Sequence, residues 1–473
     1  MSPVAGSRAA HGLSTLLLFS DNRLRGELLM MNDERTRQDD IYDVIGIGFG
    51  PANLALGVAL EEMVDARNGQ ALRHLFLESK PKPVWHPGML IEDSQIQISV
   101  LKDLATIRNP QSRFTFLNYL KVKGRLFEFL NLRDLFPTRI EFNDYLSWVA
   151  GELKDRVCFG QEVLTILPIE RDGEVRLLRV VSRDIATGDL HEMLARNVVL
   201  ATGGVPRLPE GIELQPGGRA FHSHESMLRL KRDFPDREAP YRFVVVGSGQ
   251  SAAELFYHLM CNYRNADVTA AIRRFAYKPV DDSDFTNEIF FPEMVDFLYG
   301  LPEEKRRLVQ DDCKDVNYAV VDMSLIRRIY KAMYQQKVLG EKRARLCSYM
   351  HLESLLETGG AVIARFRDLL HDREVTMEAD GLIVCTGYTW RKQHPILQDL
   401  SPLFQRDGKG GFKVERNYRL AADPKLTAGV FLQGFAEETH GASETVLSLL
   451  PVRAGDIARD LLSARAAVET YTI

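Results

Sequence analysis

The segment Tyr42–Leu60, YDVIGIGFGPANLALGVAL, indicates the fold class more directly than any other part of the chain. Its apolar run Val44–Ile47 leads into the glycine turn formed by Gly48 and Gly50, and an Ala- and Leu-rich segment with helical spacing follows. A strand, a tight turn and a helix N-terminus in this order hold a dinucleotide diphosphate on backbone N–H groups and the helix dipole. If the usual G-x-G-x-x-G fingerprint begins at Gly48, its third position is Asn53, and if it begins at Gly46, that position is Pro51. Either residue weakens the match without removing the turn.

A second copy of the pattern lies at Phe243–Leu259, FVVVGSGQSAAELFYHL. Its turn residues are Gly247, Ser248, Gly249, Gln250 and Ser251, with Ala252 in the third glycine position. One fingerprint is weak evidence, but two in strand–turn–helix context indicate a protein that binds two dinucleotides side by side. We therefore predict an α/β fold with two Rossmann-like dinucleotide-binding domains.

Composition places the chain among ordinary soluble globular proteins, with 473 residues of which 45% are apolar and 26% charged. A net charge of −5 without a long basic run argues against a general nucleic-acid-binding protein. The five cysteines form no C-x-x-C pair and no metal-ligand spacing, so we predict reduced thiols, no metal site and a cytoplasmic location. Residues 1–40 contain one short apolar patch, Leu13–Phe19, which is too short to span a membrane. We expect these residues to be a disordered extension.

The residues at the ends of two predicted strands distinguish the two nucleotides. The strand within Arg73–Lys80 ends in Glu78, whose carboxylate can accept from both ribose hydroxyls of an adenosine. The strand Asp267–Ile272 is followed by Arg273 and Arg274. Arginine binds a 2′-phosphate that an acidic side chain would repel, so the second nucleotide is predicted to be NADPH. The alternative for both positions is a charged strand end in contact with water.

Two further apolar strands, VVLATGGVPRLP at Val198–Pro209 and LIVCTGY at Leu382–Tyr388, end in small residues. Such ends let the backbone pass close to a bound cofactor. Paired strands of this kind around an inserted nucleotide domain resemble two-dinucleotide flavoproteins. The predicted domains are an FAD-binding domain over 41–215 and 380–473, and an NADPH-binding domain over 216–379 with a mainly helical substrate-site segment at 281–350.

Polar residues in two other segments are candidates for a ligand site, although each one alone is more often a surface residue. Residues Ile96–Val100 alternate as in a strand, so Gln97 faces the opposite side and Lys102 follows directly. Near the C-terminus, the polar loop Thr439–Glu444 precedes an apolar helix, where it could meet the pyrimidine edge of a flavin. The loop could equally be an ordinary helix start with Ser443 as the N-cap.

FAD together with NADPH permits two broad reaction classes. A disulfide reductase needs a redox cysteine pair beside the flavin, and this sequence has none. In a monooxygenase, NADPH reduces the flavin, O₂ adds to give a C4a-hydroperoxide, and a nucleophile takes the distal oxygen while water is excluded. The sequence therefore favours monooxygenation.

The sequence resembles the flavin-dependent N-hydroxylating monooxygenases of siderophore biosynthesis, the L-ornithine N5- and L-lysine N6-monooxygenases. The resemblance extends from about Ile41 to Ile457 and depends on these motifs taken together: GFGPANLAL, ESKPKPVWHPGM, QISVLKDLATIRNP, VVVGSGQSAAE, DDSDFTNEIFFP, NYAVV, CTGY and ETHGASETVLSLL. The motif F-x-G-x-x-x-H-x-x-x-W of Baeyer–Villiger monooxygenases is absent. Cys385 departs from the alanine that is more common in the flavin strand.

The resemblance implies a role for each motif. The FAD site would comprise Gly48, Gly50, Glu78, Lys80, Trp85, His86, Gln97, Val163, Thr445, Val446 and Leu447. The NADPH site would comprise Gly247, Ser248, Gly249, Gln250, Ser251, Arg273, Asn317, Tyr318 and Ala319. The catalytic set would be Lys102, Asn287, Asn317 and Ser448. Within that set, Lys102 would pair with the α-carboxylate of the substrate, and Asn287 and Ser448 would lie at its amino-acid end.

The activity implied is FAD- and NADPH-dependent N5-hydroxylation of L-ornithine with O₂, for a hydroxamate siderophore. L-Lysine N6-hydroxylation and diamine hydroxylation are alternatives, since one methylene is worth only about 1–3 kcal/mol in discrimination. A carboxylate contact at Lys102 favours an amino acid over a diamine. A nucleotide-binding redox sensor without turnover is the alternative of another class. The resemblance also implies a homo-oligomer, often a tetramer.

Overall fold

The computed structural model describes residues 41–64, 69–390 and 393–470 of the chain. Residues 1–40, predicted from the sequence to be a disordered extension, lie outside these ranges. Across the described residues, no helix is both long and apolar enough to cross a membrane. The described chain alternates helices and strands, which confirms the predicted α/β class.

The first parallel sheet carries the first glycine turn. Its strands lie in the order Gly429–Leu432 (β19), Asn197–Leu200 (β8), Val44–Ile47 (β2), His74–Glu78 (β3) and Val157–Phe159 (β4). Every residue of β2 and β3 is buried, as expected for inner strands of a sheet covered on both faces. The helix Pro51–Glu62 (α1) follows the turn and has proline at its start, where a missing N–H costs no helical hydrogen bond.

The second parallel sheet repeats this arrangement around the second glycine turn. Its strands lie in the order Ala220–His222 (β10), Gly381–Val384 (β17), Arg242–Val246 (β11), Asp267–Ala271 (β12) and Ala344–Cys347 (β13). The turn after β11 leads into the helix Gln250–Asn262 (α6). Because β17 pairs with β10 and β11, the LIVCTGY strand belongs to the second sheet. The predicted return of the chain to the first domain at residue 380 is therefore too early.

Each parallel sheet is accompanied by an antiparallel meander. The first consists of Gln161–Arg171 (β5), Glu174–Asp184 (β6) and Leu190–Ala195 (β7), with Ile41–Tyr42 (β1) added in parallel to β7. The second consists of Met350–Thr358 (β14), Ala361–Asp368 (β15) and Arg373–Ala379 (β16). The short pair Val205–Pro206 (β9) and Tyr388–Thr389 (β18) joins the two segments where the chain passes between the halves. The same arrangement thus occurs twice, as two Rossmann-like domains require.

Further helices cover both halves. In chain order they are Phe116–Val122 (α2), Leu126–Leu132 (α3), Arg139–Glu152 (α4), Ser226–Asp233 (α5), Pro292–Gly300 (α7), Glu303–Asp312 (α8), Met323–Val338 (α9), Glu437–His440 (α10) and Leu450–Thr470 (α11). Helices α7, α8 and α9 lie within the segment 281–350 that the sequence predicts to be mainly helical, although β13 ends that segment inside the second sheet. Helix α11 packs along α1 in the core of the first half.

The predicted strand at Ile96–Val100 is wrong. The segment pairs with no strand and is held by two separate hydrogen bonds, from the N–H of Ile96 to Pro137 O and from the N–H of Val100 to Leu135 O. Both residues are buried while Gln97 is exposed. The alternation in the sequence therefore reports which side chains are buried, and an irregular segment without a sheet satisfies it.

The alternative interpretation of Ser443, as the N-cap of the C-terminal helix, is wrong. Ser443 lies in the short 3₁₀ helix Ala442–Glu444, whereas the C-terminal helix α11 begins at Leu450. The residues between them form an irregular connection. This connection contains Thr445–Ser448, so its conformation decides where several of the predicted site residues lie.

Candidate active site

The first glycine turn leaves a helix N-terminus accessible to a ligand. Gly48 has a φ of +81°, and a Cβ there would lie 2.7 Å from the carbonyl oxygen of Ala201, so only glycine fits. No side chain caps the N-terminus of α1, and a Cβ built on Gly50 would meet no atom within 4 Å. Open space and the first N–H groups of a helix are what a diphosphate requires.

Asn53 replaces the third glycine and closes this turn from the inside. Its side chain is fully buried, and Nδ2 donates to the carbonyl oxygens of Gly48 at 2.7 Å and Ile47 at 3.2 Å. Its Oδ1 accepts from Nε2 of Gln433 at 2.9 Å. The departure from the usual fingerprint therefore stabilises the turn, a role that only its position in the fold reveals.

Glu78, the last residue of β3, lies against the same turn. Its Oε2 accepts from the N–H of Phe49 at 2.7 Å, and its Oε1 accepts from the N–H of Lys80 at 2.9 Å. Oε1 also accepts from the hydroxyl of Ser79 at 3.4 Å, whereas Oε2 has a further lone pair and so retains capacity to accept from a ribose hydroxyl. The Lys80 ammonium lies 3.4 Å from the carbonyl oxygen of Val84 and so turns back towards its own loop.

The second glycine turn meets a strand end in the same way. Gly247 has a φ of +141°, and a Cβ there would lie 2.3 Å from the carbonyl oxygen of Cys385. The N-cap residue of helix α6 is Gly249, so no side chain caps this N-terminus either, and Ser248 and Ser251 lie half-buried beside it. A Cβ on Gly249 would lie 3.5 Å from Cα of Ala319. Another segment of the chain therefore partly covers this turn, whereas the first turn is open.

The two arginines after β12 have different environments. Arg274 donates from Nη1 to the carbonyl oxygen of Ala319 at 3.2 Å, which holds the segment with Asn317 and Tyr318 over the second turn. Arg273 is exposed and forms no ion pair with any described residue. Of the two, Arg273 is therefore the guanidinium that remains available for a 2′-phosphate.

Residues from both halves line one cavity of about 620 Å³. The predicted site residues in its wall are Gln97, Lys102, Gln250, Asn287, Asn317, Val446 and Ser448. Apolar side chains complete the wall, among them those of Ile96, Ile98, Phe290, Phe291 and Val316. A cavity of this volume, with apolar side chains and many polar groups in its wall, has the size of small-molecule sites. The fold thus gathers candidates that lie far apart in the sequence.

The polar groups of the wall suit an amino acid. Lys102 is half-buried, and no carboxylate of the described ranges lies within ion-pair distance of its ammonium. Asn287 donates from Nδ2 to the carbonyl oxygen of Asp282 at 3.0 Å, which orients the amide and leaves its oxygen as an acceptor. Ser448 is 3% exposed. A cation, an amide and a hydroxyl are the groups that a carboxylate and an α-amino group need.

The other residues predicted for FAD lie outside the cavity wall. Trp85 donates its backbone N–H to Oδ1 of Asn143 at 2.8 Å, and its ring centroid lies 5.0 Å from that of His86. Leu447 packs against the core of the first half, and Val163 packs against a neighbouring core that includes residues of β3. Trp85, His86 and Val163 are therefore not among the residues that line the cavity, and the ring of His86 lies 5.9 Å from that of Tyr388.

An ion pair between the two halves has little signal in the sequence. Arg139, at the start of α4, donates from both terminal nitrogens to the carboxylate of Glu254 in α6, at 2.8 and 2.9 Å. Glu254 is 5% exposed and also accepts from Nε2 of Gln250 at 3.0 Å. Arg139 further donates to the carbonyl oxygen of Met89 at 2.9 Å. The pair therefore connects the loop after Trp85 with the second glycine turn.

Two uncapped helix N-termini, with a carboxylate beside the first and a guanidinium beside the second, define a two-dinucleotide oxidoreductase. The donors of the first turn fit FAD, because the turn is open and Glu78 retains acceptor capacity. The second turn fits NADPH, because Arg273 can bind the 2′-phosphate. The cavity lies where residues of both halves meet, which is the place for a substrate that reacts with the flavin.

Comparison with known proteins narrows this class to one family. A model of the L-lysine 6-monooxygenase/L-ornithine 5-monooxygenase family matches residues 40–390. The chain is 40% identical over 409 residues to an L-ornithine N(5)-monooxygenase of Burkholderia cepacia, a match that covers 86% of this chain and 91% of that relative. The chain therefore belongs to the L-lysine 6-monooxygenase/L-ornithine 5-monooxygenase family.

Solved structures agree with this assignment. An ornithine N-hydroxylase from Kutzneria sp. 744, solved with reduced FAD, NADP⁺ and L-ornithine, superimposes with a TM-score of 0.85 at 34% identity, over 90% of this chain and 100% of that chain. An L-lysine 6-monooxygenase from Pseudomonas syringae superimposes with a TM-score of 0.78 at 31% identity, over 89% of this chain and 99% of that chain. The predicted family, fold class and cofactors are thereby confirmed: the protein is an FAD- and NADPH-dependent N-monooxygenase, and the sensor without turnover is not supported.

Proposed function

We propose that the protein hydroxylates the side-chain amine of L-ornithine at N5, with FAD, NADPH and O₂, to supply a hydroxamate siderophore precursor. The observation that carries this proposal is the single cavity whose wall contains Lys102, Asn287 and Ser448 from three distant segments, beside Gln250 of the second turn. Support also comes from the relative of Burkholderia cepacia and the structure from Kutzneria sp. 744, both of which act on ornithine by name.

The charged end of the substrate is assigned to the polar wall. The Lys102 ammonium would bind the α-carboxylate, since no described carboxylate competes for it. Asn287, Ser448 and Asn317 would accept from or donate to the α-amino and carboxylate groups. A diamine would leave the Lys102 ammonium facing a second cation, so the wall favours an amino acid.

The cofactors are assigned to the two turns. FAD would be held by Gly48, Gly50, Glu78, Lys80, Trp85, His86, Gln97, Val163, Thr445, Val446 and Leu447. NADPH would be held by Gly247, Ser248, Gly249, Gln250, Ser251, Arg273, Asn317, Tyr318 and Ala319. When bound, the pair supplies reducing equivalents and an activated oxygen atom from O₂. The chain supplies the binding, the orientation and the exclusion of water.

The reacting amine must lose its proton before it can attack. An alkyl ammonium has a pKa of about 10, so in water it is protonated at neutral pH. The cavity wall includes the apolar side chains of Ile98, Phe290 and Phe291, and removal of an ammonium from water lowers its pKa. We therefore infer that desolvation by these side chains favours the neutral amine. A rate of product formation that does not change from acid to alkaline pH would contradict this inference.

The test is a panel of L-ornithine, L-lysine and putrescine, scored for the hydroxylated amine and not only for NADPH loss. We expect hydroxyornithine as the main product, with lysine and putrescine giving mostly hydrogen peroxide. Hydroxylated lysine or putrescine in larger yield would replace ornithine as the substrate. Peroxide from all three would overturn the proposal.

Replacement of Lys102 provides the matching test of the site. Lys102→Ala should raise the KM for ornithine about 10- to 100-fold, as expected for loss of a charge-assisted contact, with normal flavin content. Lys121→Ala, at an exposed position of α2, serves as the control and should behave as the wild type. Loss of FAD in Lys102→Ala would instead assign this lysine to the cofactor.

The homo-oligomeric state and the cytoplasmic location stay predictions. Light scattering on the purified protein measures the first, and fractionation of the producing cells measures the second. A monomer at micromolar concentration, or protein recovered outside the cytoplasm, would show the respective prediction to be wrong.

A further inference from the structure

A chain of buried polar side chains runs from the first glycine turn to the C-terminal helix. Asn53, which closes the turn, accepts from Gln433 Nε2 at 2.9 Å. The Oε1 of Gln433 accepts from Nε of Arg453 in α11 at 3.2 Å. Gln433 follows β19 directly, and its own N–H donates to Leu200 O at 2.8 Å. The chain therefore passes the carboxyl ends of two neighbouring parallel strands, β8 and β19, before it reaches α11.

The chain ends in an ion pair beside the segment Thr445–Ser448. Arg453 Nη1 lies 2.8 Å from Oε2 of Glu444 and donates to the carbonyl oxygen of the same residue at 2.6 Å. The Oε1 of Glu444 accepts from the N–H of Gly434 at 2.5 Å. Arg453 is 4% exposed and Glu444 is 2% exposed. One guanidinium thus fixes both the side chain and the backbone of the residue that precedes Thr445.

Stability alone does not account for this arrangement. Removal of two charges from water costs free energy that their attraction offsets only in part, so buried ion pairs are weak contributors to stability. Apolar residues of similar volume often serve a core as well or better. What a buried pair with several fixed hydrogen bonds does provide is a unique geometry. Here that geometry applies to an irregular segment without regular secondary structure to hold it.

We propose that Arg453 is a positioning residue that, through Glu444 and Gln433, fixes the segment Thr445–Ser448 relative to the first glycine turn. The inference rests on the proposed function, which assigns Thr445, Val446 and Leu447 to FAD and Ser448 to the substrate. One hydrogen-bonded network would then set the distance between the first glycine turn and the wall of the cavity. Arg453 itself would contact neither FAD nor the substrate.

The test compares the double variant Arg453→Met/Glu444→Gln with Arg453→Lys. The double variant removes both charges and keeps similar volumes, so no charge is left buried without a partner. Arg453→Lys retains a cation for the ion pair with Glu444 but removes the Nε–H that donates to Gln433. Arg459→Met is the control, because it removes an exposed ion pair with Asp456 from the same helix. Thermal unfolding shows which variants are folded.

Two readouts are measured on the holoenzymes. The first is the rate of FAD release on dilution, followed by flavin fluorescence, and the second is the amount of hydroxylated amine per NADPH oxidised. In the double variant, we expect FAD release to become about tenfold faster, as for loss of one charge-assisted hydrogen bond, and the product yield to fall. Arg453→Lys should lie between the double variant and the wild type, and Arg459→Met should match the wild type.

The proposal is overturned if a folded double variant keeps the FAD release rate and product yield of the wild type. If the double variant does not fold, Arg453→Lys decides by the same criterion. Equal effects of Arg459→Met and Arg453→Lys would show a general requirement for charge on α11 and would also overturn it. If the wild type makes no hydroxylated amine, the proposed function fails, while the FAD release rates still test the network.

Discussion

The two glycine turns have the same backbone plan. Gly48 approaches the carbonyl oxygen of Ala201 after β8, and Gly247 approaches that of Cys385 after β17. In each case a neighbouring parallel strand ends where the turn begins, and glycine is needed because a Cβ would overlap that carbonyl. The turns differ in the residue at the third position of the fingerprint, which is Asn53 in the first and Ala252 in the second.

The contacts around the turns differ more than the turns themselves. The first is fixed from inside by Asn53 and by buried groups of its own half. The second is covered by Ala319 and connected to the other half through Gln250, Glu254 and Arg139. A nucleotide at the first turn would therefore lie on a rigid frame. One at the second would depend on contacts between separate parts of the chain, as suits a cofactor that binds and leaves in every cycle.

Alanine substitutions at Gly48 and Gly247 should have the largest effects, and each should impair a different cofactor. Gly48→Ala combines a left-handed φ with overlap of a backbone oxygen, so we expect nearly all bound FAD to be lost. Gly247→Ala should keep its yellow FAD but lose nearly all NADPH oxidation. Absorbance of bound flavin per protein and the NADPH oxidation rate are the measurements. Equal loss of flavin from both variants would contradict the separation.

Glu254→Gln should destabilise the protein by about 3 kcal/mol, because it leaves the Arg139 guanidinium without its charged partner. Chemical denaturation of the holoenzyme measures this, and the KM for NADPH should rise as well, since Gln250 loses its carboxylate acceptor. Arg183→Met, which breaks a more exposed ion pair with Glu162, is the control and should cost no more than about 1 kcal/mol. If the KM for NADPH is unchanged in Glu254→Gln, this ion pair does not contribute to nucleotide binding.

Arg273→Ala should raise the KM for NADPH about 10- to 100-fold and leave that for NADH unchanged, because only NADPH carries the 2′-phosphate. Arg274→Ala, which loses the contact to Ala319, should affect both nucleotides alike. Initial rates of flavin reduction with the two nucleotides distinguish these outcomes. If Arg274→Ala alone discriminates between the nucleotides, the assignment of the phosphate to Arg273 is wrong.

The smallest expected effect is a pH dependence at the contact between the halves. Tyr318 donates its hydroxyl to Glu437, and burial, aided by the Glu444 carboxylate, raises the pKa of Glu437 from 4.5 to about 7. The folded state therefore prefers the protonated carboxyl. Its contribution to stability is complete below pH 4.5 and is lost as the pH rises to about 7.

Glu437→Gln should remove that part of the pH dependence, because the amide does not titrate. The melting temperature of the wild type should fall more than that of the variant as the pH rises from 4.5 to about 7. Glu438→Gln, at the exposed neighbouring position that pairs with Lys409, is the control and should follow the wild type. Parallel curves for wild type and Glu437→Gln would contradict the role of Glu437.

The sequence predicts those features that depend on residues close to one another in the chain. Both strand–turn–helix units, the strand that ends in Glu78 and the arginines after β12 are read from short segments, and the structure has each of them. The prediction at Ile96–Val100 shows the limit of such reading, because alternation records burial and not hydrogen-bond partners. The predicted domain boundary at residue 380 is wrong for a related reason, because the sequence of an apolar strand does not indicate which sheet the strand joins.

By itself, the sequence determined the α/β class, the two dinucleotide turns and the family, because these depend on local spacing of glycine, apolar and charged residues. Only the tertiary structure decided that Lys102, Asn287 and Ser448 line one cavity, and that Asn53, Gln433 and Arg453 form one buried network. The members of each set lie far apart in the chain, and no local period relates them. Their approach follows from the packing of the two halves, where desolvation leaves each buried polar group only the partners that the fold provides.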